Sequence, residues 1–220
     1  MGASGQTRVP VVIMASGRGS NFEYIMDAVA CGRLEADVRA VVSDRQDAPV
    51  LEKARARGVR AMHVAPSGGG AMQEVRRAHE EAILREIAPL RPRFIVLAGY
   101  MRIIGRTLLD AFSSMRGYSR IVNIHPALLP AFPGRDGYVQ AFNHGARIAG
   151  VTVHLVDEKV DHGPVCAQSA FDISGCGSAD EVEAAGLKIE HELYPAALAW
   201  ILKEQFEVEM REGRLCVRPN

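Results

Sequence analysis

An excess of charge of either sign is missing from this sequence: 26 lysines and arginines stand against 26 aspartates and glutamates in 220 residues. No overall field therefore draws the chain to nucleic acid or to an anionic membrane, and partners must be sought in local chemistry. Long apolar runs are missing as well. The first, Val9 to Met14, is far too short to cross a bilayer, and it leads into a glycine turn rather than a cleavage-site pattern. Cysteine is scarce: Cys31, Cys166, Cys176 and Cys216 are scattered without C-x-x-C spacing, which excludes the usual zinc and disulfide frameworks. His63, His79, His144 and His191 offer no metal-ligand spacing, so no metal is expected. These absences predict a chain of the reducing cytoplasm. Its length suits a single domain over residues 9–220 behind a loose tail of residues 1–8.

What is present is a repeating order of β-branched runs and helical stretches. Val9 to Met14, Val38 to Val42, Phe94 to Leu97 and Ile121 to Ile124 lack strict alternation, which suits strands covered on both faces. Between them, Phe22 to Cys31, Pro49 to Arg57 and Val75 to Ile87 show helical spacing. The alternation predicts an α/β fold: a doubly wound, Rossmann-like, mostly parallel sheet with helices on both faces. Past Ile124, Arg147 to Val156 and Val165 to Phe171 read as later strands. Ala179 to Phe206 reads as a long helix bent near Pro195, and Glu207 to Val217 as a hairpin turning at Glu212-Gly213. Right-handed crossovers put ligands beyond the carboxyl ends of parallel strands, so residues just after each strand are where chemistry is expected.

Ser16-Gly17-Arg18-Gly19-Ser20-Asn21 lies between the first strand and the first helix, where free amides and the helix dipole favour an anion. Ser20 or Asn21 would serve equally as the helix N-cap. A dinucleotide fingerprint would want a glycine at Phe22, although Asp44 stands near the spacing of a ribose-binding acid. No Gly-Lys-Ser/Thr follows, which excludes a P-loop. A single phosphate group is the preferred ligand.

In Ile121-Val122-Asn123-Ile124-His125, a period of two puts Asn123 and His125 on one face of the strand. An amide can donate to a developing oxyanion, and an imidazole can donate or exchange a proton near neutral pH. The pair suits addition to a carbonyl; either residue alone would as readily satisfy loop carbonyls at a strand end. Asp161, in the polar loop Asp157 to Pro164, could accept a proton through water or simply serve a turn. His154 shares a strand face with Thr152, and a hydrogen-bonded core histidine is its default reading.

Ala15 to Asn21 (ASGRGSN), Leu97 to Ile103 (LAGYMRI), Ile121 to Gly134 (IVNIHPALLPAFPG), Gly150 to Pro164 (GVTVHLVDEKVDHGP) and Glu190 to Pro195 (EHELYP) follow one another along the chain. In these pieces it closely resembles the phosphoribosylglycinamide formyltransferase family. The resemblance implies a formyltransferase fold, with Asn123, His125 and Asp161 as the catalytic group. It implies that Gly19, Ser20 and Asn21 hold the phosphate of glycinamide ribonucleotide (GAR), with Glu190 near its glycinamide end. Met101, Arg102, Ile103 and Ile104 are assigned to the folate pterin pocket, and Thr152 and His154 to supports behind the catalytic group. The implied reaction, in de novo purine biosynthesis, is direct attack of the GAR amine on the formyl carbon of the co-substrate 10-formyltetrahydrofolate. It needs neither metal nor covalent enzyme intermediate, and a monomer or homodimer would suffice.

Two stretches depart from the family pattern. Where the family carries Phe-x-x-Arg, with the arginine approaching the phosphate, Pro66 to Arg77 reads PSGGGAMQEVRR. An ungapped count from the Leu97 motif places Gln73 at the phenylalanine and Arg76 at the arginine, with Arg77 as the alternative. Arg135 to Tyr138 (RDGY) also differs, which predicts a changed edge of the substrate cleft. Other readings stay open. Methionyl-tRNA formyltransferase and formyl-folate hydrolase share the Asn, His and Asp positions, but their usual extra domains do not fit this length and motif spacing. A non-catalytic nucleotide-binding module would rest on Gly17, Gly19 and Asp44 and leaves Asn123, His125 and Asp161 without a role.

Overall fold

Val11 to Met14 and Phe94 to Val96 are each at most 1% exposed, as expected of strands sealed on both faces. A computed structural model describes residues 8–67 and 69–219. Residues 1–7 of the expected tail, Gly68 of the glycine triplet and Asn220 lie outside the described residues.

The elements run β1 (Val9–Met14), α1 (Ser20–Ala30), β2 (Ala36–Ser43), α2 (Pro49–Ala56), β3 (Arg60–His63), α3 (Met72–Ile87), β4 (Phe94–Leu97) and α4 (Arg106–Ala111). They continue as β5 (Ile121–His125), α5 (Gly137–Asn143), β6 (Ile148–Leu155), β7 (Val165–Asp172), α6 (Ala179–Ile201), β8 (Phe206–Arg211) and β9 (Arg214–Pro219). Seven strands form one sheet in the order β3-β2-β1-β4-β5-β6-β7. The first five are parallel, and β6 and β7 join antiparallel. The mostly parallel α/β architecture is as expected.

Alternate residues of the central strands feed two apolar layers. Val11, Ile13, Phe94, Val96, Val122 and Ile124 pack under α1, α2, α5 and α6. Val12, Met14, Ile95, Leu97 and Ile121 pack against α3 and α4. The second layer ends at Ile121, so Asn123 and His125, which follow it on the same face by the period of two, lie beyond the helix cover.

The long C-terminal helix runs through Pro195 but stops at Ile201, short of the expected Phe206. Gln205 N–H bonds back to the Trp200 carbonyl and Glu204 N–H to that of Ile201, with Glu204 at φ 53°. That paired left-handed ending would usually fall on glycine. Here the Glu204 carboxylate anchors the turn by ion pairs to Arg93 and Arg120 and a bond from Tyr118 Oη. The hairpin turns at Glu212-Gly213, both at positive φ, as predicted. Among the described residues no helix is long and apolar enough to cross a membrane.

Candidate active site

The glycine turn ends on Gly19, whose φ of 74° makes it the N-cap of α1. Capping by Ser20 or Asn21 does not occur, because both already belong to the first helical turn. No side chain caps this end, so amides of the first turn point outward without intrahelical partners. A β-carbon at Gly19 would lie 2.5 Å from Val50 Cγ2 on α2, and Val50 N–H bonds the Gly17 carbonyl at 3.2 Å. Gly19→Ala combines left-handed strain with overpacking and is expected to cost about 2–4 kcal/mol in denaturant unfolding. An unchanged midpoint would show that the turn can relax.

The side chain of Asn21 turns away from the amides toward α6. Its Nδ2 donates to Glu190 Oε2 at 2.7 Å, and Tyr138 Oη donates to Glu190 Oε1 at 2.7 Å. Glu190 is buried, and burial pushes its carboxyl pKa up while the two donors hold it down. Asn21 Oδ1 is buried without a partner.

A second network joins the glycine turn to the loop after β4. Ser16 Oγ donates to Asp44 Oδ1 at 2.6 Å and accepts from Met101 N–H at 2.9 Å. Arg102 Nε donates to Asp44 Oδ2 at 2.8 Å. Asp44 is thus committed to Ser16 and Arg102, and its side chain is only 7% exposed, so it is not the free ribose acceptor that the dinucleotide alternative needs. Behind the loop, the buried Glu80 carboxylate accepts from Gly105 N–H, and from Leu108 N–H at 3.3 Å, capping α4. Held at both ends, the loop presents Met101, Arg102 and Ile103 to solvent and sends Ile104 into the core.

Antiparallel pairing sets Asn123 opposite His154 and His125 opposite Thr152. His154 Nδ1–H donates to the Leu155 carbonyl at 2.8 Å, so Nε2 is left to accept from Asn123 Nδ2 at 3.1 Å. Burial lowers the His154 pKa, which keeps the ring neutral and this tautomer in place. Asn123 retains a second amide proton for a ligand. His125 Nε2–H donates to the Phe132 carbonyl at 2.9 Å, while Nδ1 faces Asp161 Oδ2 at 3.3 Å, an ion pair when the ring is protonated. Asp161 stands at φ 51°, and its Oδ2 accepts from Gly134 N–H at 2.7 Å. Its Oδ1 lies 3.7 Å from His154 Nε2.

The structure therefore brings Asn123, His125, Asp161 and His154 together. Thr152 supports them indirectly: its Oγ1 donates to the Ala127 carbonyl at 2.6 Å and accepts from Leu129 N–H at 3.0 Å, fixing the segment after His125. Arg76 lies apart from that group, its Cδ 2.9 Å from where a Gly105 β-carbon would be, and Arg77 is exposed and faces Glu81. Sequence reasoning missed Gln168, which donates to Thr152 Oγ1 and the Leu129 carbonyl at 2.9 Å each. Only the β6–β7 register, pairing Thr152 with Gln168, exposes that role. It also missed Glu80 and the partnership of Tyr138 with Glu190.

The Formyl transferase family profile matches residues 9–198. The phosphoribosylglycinamide formyltransferase of Bacillus subtilis is 40% identical over 190 residues, covering 86% of this chain and 93% of that one. That of Escherichia coli is 34% identical, covering 96% and 91%. Among solved structures, glycinamide ribonucleotide transformylase 1 of Symbiobacterium toebii superposes with a TM-score of 0.86 at 34% identity, covering 100% of this chain and 98% of that one.

Proposed function

The chain belongs to the formyl transferase family and within it to the phosphoribosylglycinamide formyltransferases, and from that premise we propose how its side chains carry the reaction. It transfers a formyl group from formyl-folate to GAR in purine biosynthesis. The donor is 10-formyltetrahydrofolate, and the enzyme acts in the cytoplasm. The amides of Gly19, Ser20 and Asn21 receive the GAR phosphate, Arg76 is assigned to the phosphate by its place in the sequence alone, and Glu190 meets donors near the glycinamide end. The stretch Met101, Arg102, Ile103 and Ile104 forms the pterin pocket largely through its backbone groups, with the Ile104 side chain packed behind it in the core.

The GAR amine attacks the formyl carbon. The carbonyl π pair moves onto oxygen, and the second amide proton of Asn123 and the His125 imidazolium stabilise that oxyanion. Asp161 takes the proton leaving the amine through a water and passes it on to N10, the oxyanion pair re-forms the carbonyl as the C–N10 bond breaks, and tetrahydrofolate departs carrying N10–H. One observation carries this reading: Asn123, His125 and Asp161 converge at the carboxyl end of β5, beside β4 with its loop of exposed apolar side chains and two strands from β1 with its uncapped helix end.

A steady-state assay with GAR and 10-formyltetrahydrofolate tests it. Turnover to formyl-GAR and tetrahydrofolate is expected, with no response to NAD. A folded protein that is inactive with GAR, or that formylates methionyl-tRNA instead, would overturn the reading.

A further inference from the structure

Tyr138 belongs to the stretch Arg135 to Tyr138 that departs from the family pattern, yet it is built into the molecule with care. It is 6% exposed, its hydroxyl reaches Glu190 across 52 residues of sequence, and its ring meets Phe171 edge-on with centroids 6.1 Å apart. A β-carbon at Gly186 would overlap the tyrosine ring. Glycine is unfavourable inside a long helix, and here the room it leaves is filled by Tyr138. At the same end of α5, the residue before Tyr138 approaches the segment after His125: a β-carbon at Gly137 would lie 2.5 Å from the Pro126 carbonyl oxygen.

Each oxygen of Glu190 thus receives a fixed donor, Asn21 from α1 and Tyr138 from α5. Beside them sits the buried Asn21 Oδ1, which has no donor. A buried acceptor without a partner is costly, and a ligand donor would satisfy it. We propose that Tyr138 is a positioning residue for the nucleotide substrate: with Asn21 it clamps the Glu190 carboxylate so that carboxylate and Asn21 Oδ1 face the hydroxyl or amine donors of GAR. This rests on the proposed function above. The group is assigned to binding rather than to the formyl-transfer step, because the hydrogen bonds of Glu190 run to Asn21 and Tyr138.

The charged groups around Glu190 are Glu183 on its own helix, which raises its pKa, and His125 on β5, which lowers it; Asn21 and Tyr138 supply the hydrogen bonds that lower it. Removing the tyrosine hydroxyl takes away a bond to the charged form, so the carboxyl should protonate at higher pH. Tyr138→Phe keeps the ring in the Gly186 notch. It is expected to raise the Kd and KM for GAR about tenfold, to leave kcat and the KM for the folate unchanged, and to move the acid limb of kcat/KM for GAR to higher pH. In a Glu190→Gln background the same substitution should add little. Calorimetric binding of GAR, kinetics with both substrates and a thermal melt provide the test. Intact GAR binding in Tyr138→Phe, or equal effects in both backgrounds, would overturn the role of Tyr138 alone. A wild-type protein that does not bind GAR would overturn the function itself, and this proposal with it.

Discussion

Asp161→Asn is expected to lower kcat by about 100- to 10,000-fold, the range for a positioned proton acceptor. The substitution is nearly isosteric and keeps one oxygen, so the contact from Gly134 N–H to the side chain survives in one amide orientation. What disappears is the negative charge beside His125 Nδ1 and the only basic oxygens of the group. The attacking amine then lacks the acceptor proposed for its proton, and Nδ1 of His125 loses the carboxylate it faces. KM for both substrates should be little changed. Single-turnover kinetics would check this, and a rate within a few-fold of wild type would remove Asp161 from the mechanism.

Asn123→Ala should cost about 100- to 1000-fold in kcat, the loss seen when one oxyanion donor is removed. Because the interaction forms only as charge develops, kcat and kcat/KM for the folate should fall together. A second effect separates this residue from a generic polar side chain. The Nε2 of His154, 2% exposed and committed as an acceptor, loses its donor, and stability should drop by about 1–3 kcal/mol. Asn123→Asp discriminates further: it keeps the volume but places a negative charge toward the oxyanion, so it should be no faster than alanine. Near-normal turnover in either variant would refute the role given to Asn123.

How much of this was legible in the sequence depended on how local each cause is. Strands β1, β2, β4 and β5 showed as apolar runs because burial on both faces leaves no choice of residue. The edge strand β3 was invisible, since only Met62 of its residues is buried. Helix α5 was missed because it is only seven residues long and its N-cap, Asp136, stands in a left-handed conformation beside Gly137 and makes no side-chain cap bond, so the pair reads as a turn. Asn123 and His125 were readable from the period of two alone, and Asp161 needed the family resemblance to rise above a turn residue. The Ser16, Asp44 and Arg102 network and the Glu190 clamp join residues 28 to 169 positions apart, and no periodicity reports such pairs. Arg76 remains an assignment by alignment, since its side chain packs by Gly105 rather than being drawn to the catalytic cluster.

The antiparallel placing of β6 beside β5 has a consequence for which changes this protein can tolerate. Thr152 and His154 stand opposite His125 and Asn123 only because Val151, Val153 and Leu155 face the apolar layer. A deletion of one residue inside β6 would slip the strand by half its repeat, sending valine to the site and threonine and histidine into the hydrocarbon interior. Insertions in the loop between α5 and β6 would leave that phase untouched. The phase of β6 therefore constrains this face of the sheet as tightly as the identity of its residues does.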